Sequence, residues 1–380
     1  MSDFSLDDPA GYSKLDPDDM CRRVEQLPEQ MEDAWNLAGQ VELPDSFRTG
    51  RSVVVAGMGG SAIGGSLVEA YGSDEMPVPF TVWRGYGLPA YADENTLVIA
   101  VSYSGNTAET LSGLIEARER GCKLMAISTN GQVMEFANTW QVPLMTFRYE
   151  AQPRATLGYL FTPLVRIVER LGFLPAQSRA FDEALRVARE ANEQWGRGVP
   201  TGSNLAKQMA EECANRAIVV YGAQYLSAVA RRWKTQLNEN AKNWAFWEEF
   251  PELNHNAIVG YEYPASFPDS VHVVVLSGSH LHERIRICMD VTRRLLERFK
   301  ISYRVAEARG DGKLAQMFSL IALGDYVSYY LALLNGADPT TIDPINFLKK
   351  SLAEHEAASA PPLKEDGVRP GLTIPKHPSG

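Results

Sequence analysis

A chain of 380 residues exceeds what one ordinary hydrophobic core organises, so about two domains are expected. Apolar residues make up 45% and charged residues 22%, a balance that excludes a disordered or fibrous chain. The net charge of −10 argues against nucleic acid or an anionic membrane as a partner, and still permits a pocket that takes a small anion.

Residues 1–50 read as a helical arm. Met20, Val24, Leu27, Met31, Trp35 and Ala38 recur at helical spacing, with Pro28 interrupting. The opening residues, Met1-Ser2-Asp3-Phe4-Ser5, carry no apolar signal core, so a cytoplasmic protein is expected. From Val53 strand and helix alternate. Strands are expected at Val53–Ala56, Phe80–Trp83, Leu97–Val101, Lys123–Ile127 and Val142–Phe147, with helices at Ile63–Tyr71, Thr107–Arg120 and Val133–Thr139. This is the pattern of an α/β doubly wound parallel sheet, with function at the carboxyl ends of the strands.

Two turns at those ends share one chemistry. Gly57-Met58-Gly59-Gly60-Ser61 follows the first strand, and Ser102-Tyr103-Ser104-Gly105-Asn106-Thr107 follows the third. Glycines let a backbone approach an anion closely, and the N–H groups of a helix start point at it. Gly60, Ser61, Ser102, Ser104 and Thr107 are therefore candidate ligands of one phosphate. Neither loop holds a cation, so recognition is by neutral hydrogen bonds.

Residues 156–195 read as two helices, and Gly196-Arg197-Gly198-Val199-Pro200 as a linker. The alternation then restarts. A helix is expected at Asn204–Asn215, a strand at Ala217–Tyr221 and a long helix from Gln224 to about Trp244. Strands His272–Leu276 and Tyr303–Ala306 flank helix Leu281–Phe299. The second half reads as a diverged copy that has lost the Ser-x-Ser-Gly-Asn-Thr loop. Phe318–Ala337 is apolar enough to raise a membrane span, but Asp325 sits inside it. A charge in mid-span is costly in lipid, so a buried helix is expected. From about residue 357 to 380 the chain is rich in Pro, Gly and Ser and reads as a flexible tail.

The Ser102–Thr107 loop after a glycine-rich turn resembles a sugar isomerase (SIS) domain. Two such domains, with Asn238-Glu239-Asn240-Ala241-Lys242 and then Pro251-Glu252-Leu253-Asn254-His255-Asn256, resemble the bifunctional phosphoglucose/phosphomannose isomerases. The resemblance runs from about residue 20 to 352. It implies tandem SIS domains at 51–200 and 201–356, with a C-terminal helix. It implies interconversion of glucose 6-phosphate and mannose 6-phosphate with fructose 6-phosphate, without a cofactor or a metal, in a homodimer. By the same resemblance Glu239 is the base that moves a proton between C1 and C2. His255 assists ring opening and comes from the neighbouring subunit. Arg154, in Gln152-Pro153-Arg154, stabilises the enediolate. Lys349, beside Lys350, opens the ring, and Thr341, or Thr340 before it, leaves room for the mannose epimer.

The residue types suit that chemistry. A carboxylate can take a carbon-bound proton and return it one atom away. A fixed cation stabilises the oxyanion that develops, and arginine keeps its charge in any environment. Imidazole donates and accepts near neutral pH. By periodicity alone, Glu239 is only a flank carboxylate of a helix, and His280 and His282 are surface residues at a helix start without a third metal ligand. The four cysteines, Cys21, Cys122, Cys213 and Cys288, form no C-x-x-C pair, so no zinc ribbon or disulfide framework is indicated. Gly57-Met58-Gly59-Gly60-Ser61-Ala62 fits only a variant dinucleotide fingerprint, and no acidic residue closes the next strand at Trp83. Two other functions fit an SIS fold: a non-catalytic sugar-phosphate-binding regulator, and an isomerase strict for glucose 6-phosphate. The first lacks a basic helix-turn-helix segment here.

Overall fold

The computed structural model describes residues 5–359. Helices α1 (Met20–Glu25) and α2 (Leu27–Gln40) form the arm. Pro28 sits in the first turn of α2 and opens that helix rather than breaking one, since its missing N–H is unpaired there anyway. The first sheet is built from β1 (Ser52–Ala56), α3 (Gly59–Gly72), β2 (Phe80–Trp83), β3 (Thr96–Ser102), α4 (Ala108–Glu119), β4 (Lys123–Ser128), α5 (Gly131–Thr139) and β5 (Leu144–Met145). Its strand order is β2-β1-β3-β4-β5, all parallel. Every residue of β3 is buried, the mark of a strand covered on both faces by helices. The last strand is shorter than the run Val142–Phe147 suggested. It pairs only through Leu144 and Met145, at the sheet edge.

Helices α6 (Leu157–Arg170) and α7 (Ser178–Trp195) follow. The second sheet comprises α8 (Leu205–Cys213), β6 (Ala217–Ala223), α9 (Ser227–Glu239), β7 (Ala245–Phe250), a short α10 (Phe267–Ser270), β8 (Val271–Ser277), α11 (Glu283–Arg298) and β9 (Ser302–Glu307). Its order is β7-β6-β8-β9, again all parallel. Here the sequence reading needs correction. The long helix expected to reach Trp244 stops at Glu239, and β7 follows it. Lys242 adopts φ of 54°, a left-handed turn that ends helical geometry. Trp244, the expected end of that helix, is 75% exposed immediately before an edge strand.

Helix α12 (Lys313–Leu334) is buried from Leu314 through Leu333 and packs against α7, α8 and α9. Among the described residues it is the one helix long and apolar enough to cross a bilayer. Residues 1–340 cluster as one compact unit that holds both sheets, and residues 341–380 as a second. The second unit carries α13 (Asp343–Ser359), with Ile345, Phe347, Leu348 and Leu352 exposed. The remainder of the expected tail, residues 360–380, lies outside the described residues.

At the opposite end of the second sheet from the β6 and β8 carboxyl termini, His272 is 1% exposed. Its Nδ1 lies 2.9 Å from Ser302 Oγ, and its Nε2 lies 4.0 Å from Glu212, which also pairs with Arg304. Burial pushes the imidazole from the ordinary 6.5 down to about 4. The unfolded chain therefore binds this proton more readily than the native one. The contribution is complete above pH of about 6.5 and is lost as pH falls toward about 4. Between pH 7 and pH 5 this loss amounts to about 2 kcal/mol. A His272→Gln variant is expected to show a shallower fall in Tm over that interval than the wild type. Parallel Tm profiles would contradict the assignment.

Candidate active site

The two glycine-rich turns meet at the carboxyl ends of β1 and β3. Tyr103 N–H donates to Ser61 Oγ at 3.2 Å, which ties one loop to the other. Ser102 Oγ accepts from Gly105 N–H at 3.0 Å and lies 3.2 Å from Thr107 Oγ1. Asn106 N–H reaches Ser104 Oγ at 3.4 Å. Gly105 needs its φ of 68°, because a Cβ there would lie 1.7 Å from the Asn130 carbonyl oxygen. Among the described residues no side chain caps α3 or α4 at its N-cap position. Ser61 and Ser102 are buried, whereas Ser104 is exposed. Ser61 is thus joined to the loop that carries Ser102, Ser104 and Thr107.

The first loop also abuts the arginine. A Cβ on Gly60 would lie 2.9 Å from Pro153 O and 3.1 Å from Arg154 N, so only glycine lets the start of α3 close on the Pro153–Ala155 turn. The Tyr103 hydroxyl donates to Tyr149 O and accepts from Ala151 N–H, holding the approach to that turn. Arg154 is 3% exposed, and its side chain crosses to the second sheet's helix α9. There Nε donates to Asn240 Oδ1 at 2.6 Å and Nη1 to Glu239 Oε2 at 3.4 Å. Nη2 donates to the carbonyls of Pro339 and Thr340, at 2.6 and 2.9 Å. Burial pulls the guanidinium below its ordinary value, while Glu239 and Asp338 act in the opposite direction. Arginine starts so high that it stays charged at neutral pH.

Glu239 is the last residue of α9, not a mid-helix flank residue as periodicity implied. A helix carboxyl end is unfavourable for a negative charge, and Arg154 offsets that. The carboxylate remains 29% exposed, open to a small molecule. Thr340 is buried beside Arg154, and its Oγ1 has no hydrogen-bond partner. Asn240 and the Pro339 and Thr340 carbonyls were not foreseen as parts of the site. Asn240 stood inside the quoted motif, but backbone carbonyls leave no trace in residue types.

His255 ends a 3-10 turn after β7 and is exposed, with no hydrogen bond or ion pair joining it to Glu239 or Arg154 among the described residues. Lys349 and Thr341 belong to the second unit, and both are exposed there. Lys350 lies 3.9 Å from Glu354 on the same helix. His282 caps α11, and His280 lies against the Asp311 carbonyl at 2.5 Å. Among the described residues no group of three or more His, Cys, Asp or Glu side chains is arranged to hold a metal ion.

The corresponding strand ends of the second sheet have a different fate. Gln316 Oε1 accepts from Ser279 N–H at 3.1 Å and from the Tyr225 hydroxyl at 2.6 Å. Its Nε2 donates to Ser279 Oγ at 2.6 Å. A side-chain amide thus occupies the donors that an anion would need.

Comparison with known proteins places this geometry. The family described as the bacterial phospho-glucose isomerase C-terminal SIS domain matches residues 202–352, and the SIS domain family matches residues 86–134. A bifunctional phosphoglucose/phosphomannose isomerase of Caldicellulosiruptor bescii is 40% identical over 88% of this chain and 99% of its own. One from Thermoplasma volcanium is 36% identical over 85% of this chain and 99% of its own. A solved structure of a hypothetical protein from Thermus thermophilus shares the fold, with a TM-score of 0.71 at 17% identity over 90% of this chain and 91% of that one. With the converging hydroxyl loops and the Arg154–Glu239 pair, these likenesses show that the chain belongs to the bifunctional phosphoglucose/phosphomannose isomerase family.

Proposed function

We propose that this enzyme interconverts glucose 6-phosphate and mannose 6-phosphate with fructose 6-phosphate through a cis-enediolate, in the cytoplasm and without a metal. One observation carries the reading. A carboxylate open to solvent lies 3.4 Å from a buried guanidinium, and the main chain of that arginine abuts the first of the two glycine-rich loops. The loops hold the 6-phosphate through Ser61, Ser102, Ser104, Thr107 and the amides at Gly60. Glu239 takes the C2 proton of an open-chain aldose. The C–H electron pair becomes the C1–C2 double bond, and charge moves to the carbonyl oxygen beside Arg154. A proton passes from O2 to O1, and return of the abstracted proton to C1 gives the ketose. Rotation about the C2–C3 bond would turn the opposite face of the enediolate C2 to Glu239, and protonation there gives the other epimer, so one base serves both aldoses.

Thr340 is the better choice for the epimer pocket, because it is buried next to Arg154 with an unused hydroxyl. The roles of Lys349 and Thr341 rest on the resemblance alone. His255 lies on an exposed turn, which suits a residue that completes the site of a second copy in a homodimer.

Glu239→Gln is expected to lower kcat by about 100- to 10,000-fold while the affinity for fructose 6-phosphate stays within a fewfold of wild type. Retained turnover would remove Glu239 as the base. Loss of turnover together with binding would favour a structural role. The shared site has its own test. Co-refolding inactive His255→Ala with inactive Glu239→Gln creates, in half of the dimers, one site with both groups intact. Recovery of about one quarter of wild-type activity is expected. No recovery would confine His255 to its own subunit.

A further inference from the structure

The apolar helix α12 carries one acid, Asp325, and the mechanism above leaves it unused. Asp325 is 5% exposed, and its partner on α9, Arg232, is 2% exposed. Arg232 Nη2 donates to the two carboxylate oxygens at 2.9 and 2.7 Å. The same nitrogen lies 3.2 Å from the main-chain oxygen of Arg154. Gln236 Nε2 donates to Asp325 Oδ1 at 2.9 Å. One turn on, Asn240 Nδ2 donates to Ser328 Oγ at 3.0 Å, and that hydroxyl donates to Asp325 O at 2.8 Å. Arg232, Gln236 and Asn240 follow one another four residues apart, so one face of α9 is locked onto α12. Asn240 then receives Arg154 Nε at 2.6 Å.

Arg154 is thus gripped twice by the same helix, at its main chain through Arg232 and at its guanidinium through Asn240. Glu239 stands on that helix as well. A buried ion pair of this kind is seldom worth more to stability than well-packed apolar side chains of similar volume. Among the described residues, the hydrogen bond this pair makes outside α9 and α12 goes to the Arg154 carbonyl. We propose that Asp325 and Arg232 are positioning residues, whose ion pair sets the distance between the Arg154 guanidinium and the Glu239 carboxylate. This rests on Arg154 and Glu239 being the reacting pair.

The test is steady-state kinetics on fructose 6-phosphate, with Tm measured alongside. The Arg232→Met/Asp325→Leu double variant removes both charges and leaves no unpaired ion in the core. It is expected to keep its Tm and its KM within about threefold, while kcat falls by about 10- to 100-fold, the scale of a sub-ångström to ångström misplacement. A folded double variant with wild-type kcat would overturn the proposal, as would a KM that rises in step with the fall in kcat. Should the double variant not fold, Asp325→Asn preserves shape and tests the charge alone. A drop in kcat at constant KM supports the proposal, and an unchanged kcat overturns it. Arg154→Lys in the same series separates the two levels. If it is inactive while the pair variants are normal, only the positioning role fails. If it keeps wild-type kcat, the reading of Arg154 fails and the positioning role with it.

Discussion

A guanidinium that is nearly removed from water must be matched on every side, and Arg154 sets that demand for the whole site. Four hydrogen bonds carry it to Asn240, Glu239 and the carbonyls of Pro339 and Thr340. These partners are two adjacent pairs, from two stretches of chain about a hundred residues apart. Helix α9 must end where it does, so that Glu239 and Asn240 reach the arginine. The loop after α12 must return its carbonyls to the same point. Leaving such a cation unpaired would cost several kcal/mol, on the order of the whole stability of a domain. Satisfying the arginine and assembling the site are therefore one event.

The two sheets divide the work. In the proposed mechanism the first supplies an anion cradle made of hydroxyls and helix-start amides, and the second supplies the acid–base helix. Recognition by neutral donors agrees with a chain of net charge −10, whose overall charge does not draw anions from a distance. The related loop of the second sheet cannot compete for phosphate, since Gln316 already fills it. In that mechanism a duplicated architecture yields one phosphate site, with the second half turned to chemistry.

Much of this was legible in the residues. The buried apolar runs of β1, β3 and β4, the glycine-hydroxyl turns after β1 and β3 and the restart of alternation near residue 217 all survive in the structure. The signals that failed did so for physical reasons. Trp244 lies at helical spacing from Trp233 and Leu237, so periodicity carried α9 too far and hid β7, a strand whose alternation is weak at the sheet edge. Asp325 read only as an argument against a membrane span, because one residue cannot show that its partner lies 93 positions away in sequence. Between Thr340 and Thr341 the distinction is burial at the end of a chain segment, which no local pattern encodes.

The central claim is that Glu239, beside Arg154, carries a proton between adjacent carbons of a sugar phosphate with no metal taking part. Proton NMR of fructose 6-phosphate with the purified enzyme, in deuterated buffer containing EDTA, tests it most directly. The account predicts that glucose 6-phosphate and mannose 6-phosphate both appear, with deuterium at C2. Glucose 6-phosphate alone would mean a strict isomerase with a closed pocket at Thr340. Ligand line broadening without any product would contradict the account and leave a sugar-phosphate-binding protein.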